Sequence, residues 1–162
     1  MLWIFDFANV LVCLLTISIA YRIKIVPSWI ALILASYTFL PFLLNDFLLP
    51  SRYMGDQYLY FSILKNVRSF DFLSHEDPKV LITSWSLSLM PLPYVEGIRS
   101  VGLFNRYMYL ILFIWIYHKK FLNGLPLYFI LFFPSLVFYT SLGLRDPLVL
   151  IFMTIGVIFL IE

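Results

Sequence analysis

Arg106, Arg145 and Asp56 stand out in this chain because the residues around them are almost all apolar. Arg106 falls inside the run Val101 to Tyr117, which cannot reach across a hydrocarbon core without including it near one end. Such an arginine either snorkels to the headgroups or faces a bundle interior and holds an anion such as a lipid-linked diphosphate. Arg145-Asp146-Pro147 closes one apolar block and opens another, with Pro147 suited to a first helical turn and Asp146 to its N-cap. A cation beside a helix N-terminus opposes the macrodipole, so Arg145 is better explained by a phosphate nearby. Asp56 precedes the segment Gln57 to Val67, for which it is a ready N-cap, with Phe61 and Leu64 turned toward the membrane. His75-Glu76-Asp77 has ligand-type side chains, but adjacent ligands define no coordination geometry and the run reads as a solvated turn into Pro78. Asp6, close to the N-terminus, reads as interfacial.

The elements that carry these residues follow from composition. Hydrophobic residues make up 62% of the 162 and charged ones 12%, against about 45 to 50% and about 25% in a soluble domain. That balance excludes a soluble domain and implies an all-α, polytopic membrane bundle. The net charge of +2 is too small and too scattered for nucleic-acid binding. Spans are expected at Leu2 to Tyr21, Ser28 to Leu44, Val101 to Tyr117, Leu125 to Leu142 and Pro147 to Ile161, within a single domain covering 1–162. Interfacial Tyr and Trp support the shorter ones. The first block is a retained helix and not a signal peptide, since its only early charge is Asp6 and its basic residues, Arg22 and Lys24, follow the apolar run. The single cysteine, Cys13, excludes an intrachain disulfide and a cysteine-based metal site.

Arg22 and Lys24 lie between the first two spans, and His118, Lys119 and Lys120 between the third and fourth, so both short loops belong on the cytoplasmic side. The connection 45–100 is then external, with Asp46, Arg52, Asp56 and Arg68 on it, and the Arg145-Asp146 turn lies on the same face. Val80 to Tyr94 is apolar enough to be a sixth span. It is short, carries Ser84, Ser86 and Ser88 and ends in Pro91 and Pro93, which suits a helix lying at the interface.

The stretch Arg52-Tyr53-Met54-Gly55-Asp56-Gln57-Tyr58-Leu59-Tyr60 resembles the Gly/Asp/Tyr signature in the first large outer loop of bacterial polysaccharide (O-antigen or exopolysaccharide) polymerases of the Wzy and EpsG type. Pro134-Ser135 with Tyr139, Ser141 and Leu144-Arg145-Asp146 is similar to the Pro-Ser, aromatic and arginine pattern of those proteins. The alternation of helices with one large outer loop also resembles the N-terminal part of membrane glycosyltransferases of the GT-C architecture. Those polymerases are usually much longer, so the resemblance is to an N-terminal portion or a short relative. It implies glycosyl transfer on the outer face of the bacterial cytoplasmic membrane, with a polyprenyl-diphosphate-linked sugar as donor, a second lipid-linked glycan as acceptor, and a flippase or chain-length regulator as protein partner. Asp56 would be the base with Asp46 its rival, and Arg52, Arg106 and Arg145 the diphosphate clamp, with Tyr60 and Asp146 beside them. No cofactor or metal is expected. The competing reading is a non-catalytic subunit of a transporter or assembly complex, in which the same residues cap helices and anchor interfaces.

The charge pattern yields a topological prediction. Gln57 and Arg145 should lie on the same, outer side of the membrane. On a Cys13→Ser background, single cysteines introduced beside Gln57 and at position 145 should both react with an impermeant reagent added from outside the cell. Labelling of position 145 from the cytoplasm alone would mean that the segment 80–94 spans.

Overall fold

The computed structural model describes residues 3–49, 55–70, 78–122 and 124–161, and within them every regular element is helical. In chain order these are α1 (Trp3–Arg22), α2 (Ser28–Tyr37), α3 (Leu40–Phe42), a π-helical segment (Leu43–Leu48), α4 (Asp56–Arg68), α5 (Pro78–Ser88), α6 (Ile98–Lys119), α7 (Leu125–Phe132), α8 (Pro134–Tyr139) and α9 (Asp146–Ile161). The central element is α6, against which α1, α3, α4, α5, α7 and α9 all pack. One core cluster joins the first half of α6 to α1, α4 and α5, and a second joins its later half to α2 and α7.

Among the described residues, two helical runs, Ser28–Asn45 and Ile98–Lys119, are long and apolar enough to cross a membrane. Five were expected. The largest departure is Leu125 to Leu142, which does not form one helix: α7 stops at Phe132, and α8 starts at Pro134 and ends at Tyr139. Proline supplies no N–H and its ring clashes with the carbonyl four residues back, so the helix must break there. Phe133 takes the extended conformation that the residue before a proline favours, with φ −65° and ψ 113°. The expected span Ser28 to Leu44 falls within the membrane-length run Ser28–Asn45, which carries a turn at Thr38–Phe39 and admits Pro41 into α3. The described part of α9, 16 residues to Ile161, is apolar and about 24 Å long. The 11 residues of α5 span only about 16 Å and pack against α4.

The helices leave long apolar faces exposed and bury some polar groups. Phe7, Leu11, Leu15 and Ile19 form an exposed stripe at i, i+4 spacing on α1, while Asp6, Asn9 and Cys13 on its other side are buried. The outer face of α9 exposes Phe152, Met153, Val157, Phe159 and Leu160. Soluble monomers rarely leave continuous apolar faces of this kind uncovered.

The buried polar groups tie distant elements together. Ser100 Oγ accepts from the backbone N–H groups of Glu96 and Gly97 and donates to Asp6 Oδ1 at 2.5 Å, and Arg99 Nε lies 3.5 Å from Asp6 Oδ2. Asp6 is therefore part of the α1–α6 contact and not the interfacial group expected from its position. Asn9 on α1 makes a two-way bond with the backbone of Tyr94, donating to its carbonyl at 2.8 Å and accepting from its N–H at 3.2 Å. Arg68, at the end of α4, donates to the carbonyls of Ser88, Met90 and Leu92 and lies over the Phe104 ring. It closes the C-terminal end of α5, where carbonyls have no helical partners. Burial lowers its pKa from the ordinary arginine value.

Two glycines let the non-helical residues 140–144 approach α6. A Cβ on Gly102 would come 2.5 Å from the Ser141 carbonyl oxygen, and one on Gly143 would come 2.8 Å from Val101 Cγ1. Neither position can hold a side chain without separating the two backbones. Gly102→Ala should therefore lower stability by about 1 to 3 kcal/mol. Gly156→Ala, with no atom within 4 Å of the added carbon, should be neutral or stabilising by about 0.5 to 1 kcal/mol. Thermal unfolding in detergent reads both, and equal midpoints would contradict the close packing.

Candidate anion site around Arg106

The helix break at Pro134 creates a local demand for hydrogen-bond donors, and α6 supplies them. With no N–H on Pro134, the Ile130 carbonyl loses its helical donor. Tyr109 Oη donates to that carbonyl at 3.0 Å. Further along, Asn105 Nδ2 donates to the carbonyls of Leu142 at 2.6 Å and Leu144 at 2.8 Å. From α4, Gln57 Oε1 accepts from the Gly143 N–H at 2.9 Å. Backbone that would otherwise be buried and unpaired is thus held by three side chains from two helices.

Arg106, one turn before Tyr109 on the same helix, is only 1% exposed. Its Nη2 donates to the Val137 carbonyl at 2.6 Å and to Ser141 Oγ, which in turn donates to Val137 at 2.8 Å. The rings of Tyr109 and Tyr37 lie 5.1 Å and 5.4 Å from the guanidinium carbon, within cation–π range. Nε and Nη1 have no hydrogen-bond partner among the described residues. The guanidinium faces the bundle interior and does not snorkel. It is charged, buried and only partly satisfied, which is costly unless an anion completes it.

An apolar cleft of about 320 Å³ adjoins this site between α6, α7, α8 and α9, with Tyr109, Phe129, Phe133, Leu136, Ile151 and Thr154 among its walls. Tyr109 belongs to both, its ring facing Arg106 and also lining the cleft.

The other expected site residues fall in several places. Asp56 is exposed and is the first residue of α4; the cap position is Gly55, with no side-chain cap bond, so the expected N-cap role is not the one adopted. Tyr60 is buried in the core on the inner side of α4. Arg145 and Asp146 are exposed at the start of α9, where the Arg145 carbonyl accepts from the N–H groups of Leu148 and Val149 and Asp146 lies in the first turn. The Gln57–Gly143 bond brings the neighbourhood of Asp56 to that of Arg145, since each lies within two residues of the bond. Asp46 belongs to the π-helical segment. Arg52 and the His75-Glu76-Asp77 run lie outside the described residues. Among those described, no three histidine, cysteine or carboxylate side chains converge. Sequence reasoning did not single out Asn105, Gln57 or Tyr109, whose partners are backbone atoms far along the chain. No family model, curated protein or solved structure matches this chain.

The pairing of Tyr109 with the break can be tested by a double-mutant cycle. Tyr109→Phe leaves the Ile130 carbonyl unpaired and should cost about 1 to 3 kcal/mol. In a Pro134→Ala background the restored N–H can serve that carbonyl, so the same change should cost markedly less. Equal costs in both backgrounds would show that Tyr109 does not compensate for the proline.

Proposed function

We propose that the chain forms part of a multi-pass membrane glycosyltransferase of the polysaccharide-polymerase kind, joining polyprenyl-diphosphate-linked sugar units at the outer face of the cytoplasmic membrane. The observation that carries this reading is Arg106: a buried cation with two unpartnered nitrogens among the described residues, beside an apolar cleft. A diphosphate supplies the missing acceptors, and the cleft suits the isoprenoid chain attached to it. The exposed apolar faces of α1 and α9 and the two membrane-length helices support a lipid setting.

In this reaction an acceptor hydroxyl oxygen attacks the anomeric carbon, the bond from that carbon to the diphosphate breaks, and the hydroxyl proton passes to a carboxylate. Asp56 takes that proton, with Asp46 as the rival base, while Arg106 and Arg145 stabilise the charge on the departing polyprenyl diphosphate. Arg52, Tyr60 and Asp146 complete the site as the resemblance implies. Substrate reaches Arg106 when residues 137–141 move off it, because Val137 and Ser141 cover the guanidinium in the arrangement described.

A second reading, a non-catalytic subunit of a transporter or assembly complex, is favoured by Arg68, which shows that an arginine in this fold can serve only to cap carbonyls. Asp56→Asn separates the two. Asp56 is exposed and caps nothing through its side chain, so the substitution should leave insertion and protein level unchanged. Loss of a general base should reduce polymerisation by about 100-fold to 10,000-fold, read as glycan chain length in cells lacking the native copy. Arg106→Lys, which keeps the charge without the planar fork, should also lose most of the activity. Normal chains from Asp56→Asn with short ones from Asp46→Asn would move the base to Asp46. Normal chains from Asp56→Asn, Asp46→Asn and Arg106→Lys would leave the subunit reading.

A further inference from the structure

At the other end of α6, about 18 Å from Arg106 by helical rise, a cavity of about 740 Å³ opens between the turn after α1 and the end of α6. Arg22, Lys24, His118 and Lys120 line it together with Tyr21 and Tyr117, and no carboxylate is among its lining residues. The two basic clusters, 94 or more residues apart in sequence, are thus the walls of one site.

The two helices end there in the same way. In each, an N–H beyond the helix reaches back five residues, from Ile25 to the Ala20 carbonyl at 2.9 Å and from Phe121 to the Ile116 carbonyl at 3.3 Å. The residue that makes this closure possible is left-handed in both, Lys24 at φ 60° and Lys120 at φ 57°. Glycine is the usual occupant of that position, and a lysine there is conformationally unfavourable. Helix dipoles alone do not explain the choice. Each C-terminus carries about half a negative charge, so two are already more than offset by Arg22 and Lys24. The surplus is positive and concentrated in one bowl.

The geometry points to this cavity as a binding site for the phosphate of an anionic lipid headgroup. Arginine offers a planar fork to phosphate oxygens and the lysines add compact charge. The lipid is favoured over a soluble phosphate because the bowl lies at the end of a membrane-length helix and is flanked by Tyr21 and Tyr117, whose rings suit the headgroup level. The site does not depend on the glycosyl-transfer reading.

The left-handed turns make a clean test available, because Lys24→Gly with Lys120→Gly removes both charges while easing both backbones. The chain is purified in a neutral detergent, and its thermal unfolding is followed with added phosphatidylglycerol, phosphatidylcholine or inorganic phosphate. Phosphatidylglycerol should raise the midpoint more than phosphatidylcholine at equal mole fraction. The double-glycine variant should fold at least as well without lipid and need about 30-fold more phosphatidylglycerol for the same shift. Lys24→Arg with Lys120→Arg should retain the response, and Lys24→Gln with Lys120→Gln should reproduce its loss if the glycine pair fails to fold. An undiminished shift in the charge-deleted variants, or no preference for the anionic lipid in the unaltered chain, would overturn the site. A shift from inorganic phosphate equal to that from the lipid would overturn the lipid as the source of the phosphate.

Discussion

The docking of residues 140–144 on α6 is the constraint on which the rest of this arrangement depends. A non-helical backbone buried in a helical bundle exposes carbonyls and N–H groups that neither lipid nor neighbouring apolar side chains can satisfy. Here Asn105 and Gln57 bond that backbone, Arg106 holds the Ser141 hydroxyl, and Gly102 and Gly143 allow the approach that brings those side chains within reach. The contact also fixes what lies on either side. It brings the residues just before Arg145 and Asp146 to the first turn of α4.

The same principle operates throughout the interior. Asp6 with Ser100 and Arg99, Asn9 with Tyr94, and Arg68 with the end of α5 each join elements that are far apart in sequence. Where lipid surrounds a bundle, apolar contact between helices has little advantage over contact with lipid, so hydrogen bonds and close packing have to specify which helices meet. The exposed Phe7, Leu11, Leu15 and Ile19 stripe and the buried Asp6, Asn9 and Cys13 on one helix show this division directly. In water the stripe would face inward and the polar side outward.

Composition made the all-helical class legible, and the bounds of α1 and α6 lie within a few residues of the apolar blocks. The inner placement of Arg106 was one of two alternatives the sequence left open. Hydropathy averaging failed at Leu125 to Leu142, because it scores side-chain transfer and not the missing N–H of Pro134. Pro134-Ser135 was noticed as a motif when its stronger physical meaning was a helix break. The role of Asp56 as a cap was a local inference, and the chain instead started α4 one residue earlier, at Asp56 itself, with Gly55 as the cap. Asn105, Gln57 and Arg68 could not be read because their partners are carbonyl or N–H groups 20 or more residues away, which every residue type can offer. The spacing of Asp6, Asn9 and Cys13, at three and four residues, was a usable signal for a polar inner face on α1.

Arg68 and Arg106 are two buried or half-buried arginines of one fold whose hydrogen bonding differs. Both sit over aromatic rings and both donate to carbonyls at the end of a helix. Arg68 uses Nη1 and Nη2 on three carbonyls, and its side chain is only partly buried, so water can reach what the protein does not occupy. Arg106 is far more deeply buried yet, among the described residues, donates through Nη2 alone. If capping were its whole purpose, the better-buried arginine should be the better satisfied, because an unpaired N–H costs more where water is excluded. The order is reversed. An asparagine next to it, Asn105, already demonstrates that a neutral side chain can hold two of these carbonyls without bringing a charge into the interior. What a guanidinium adds at position 106 is charge and a free edge, and both are the properties that recognition of a phosphate requires.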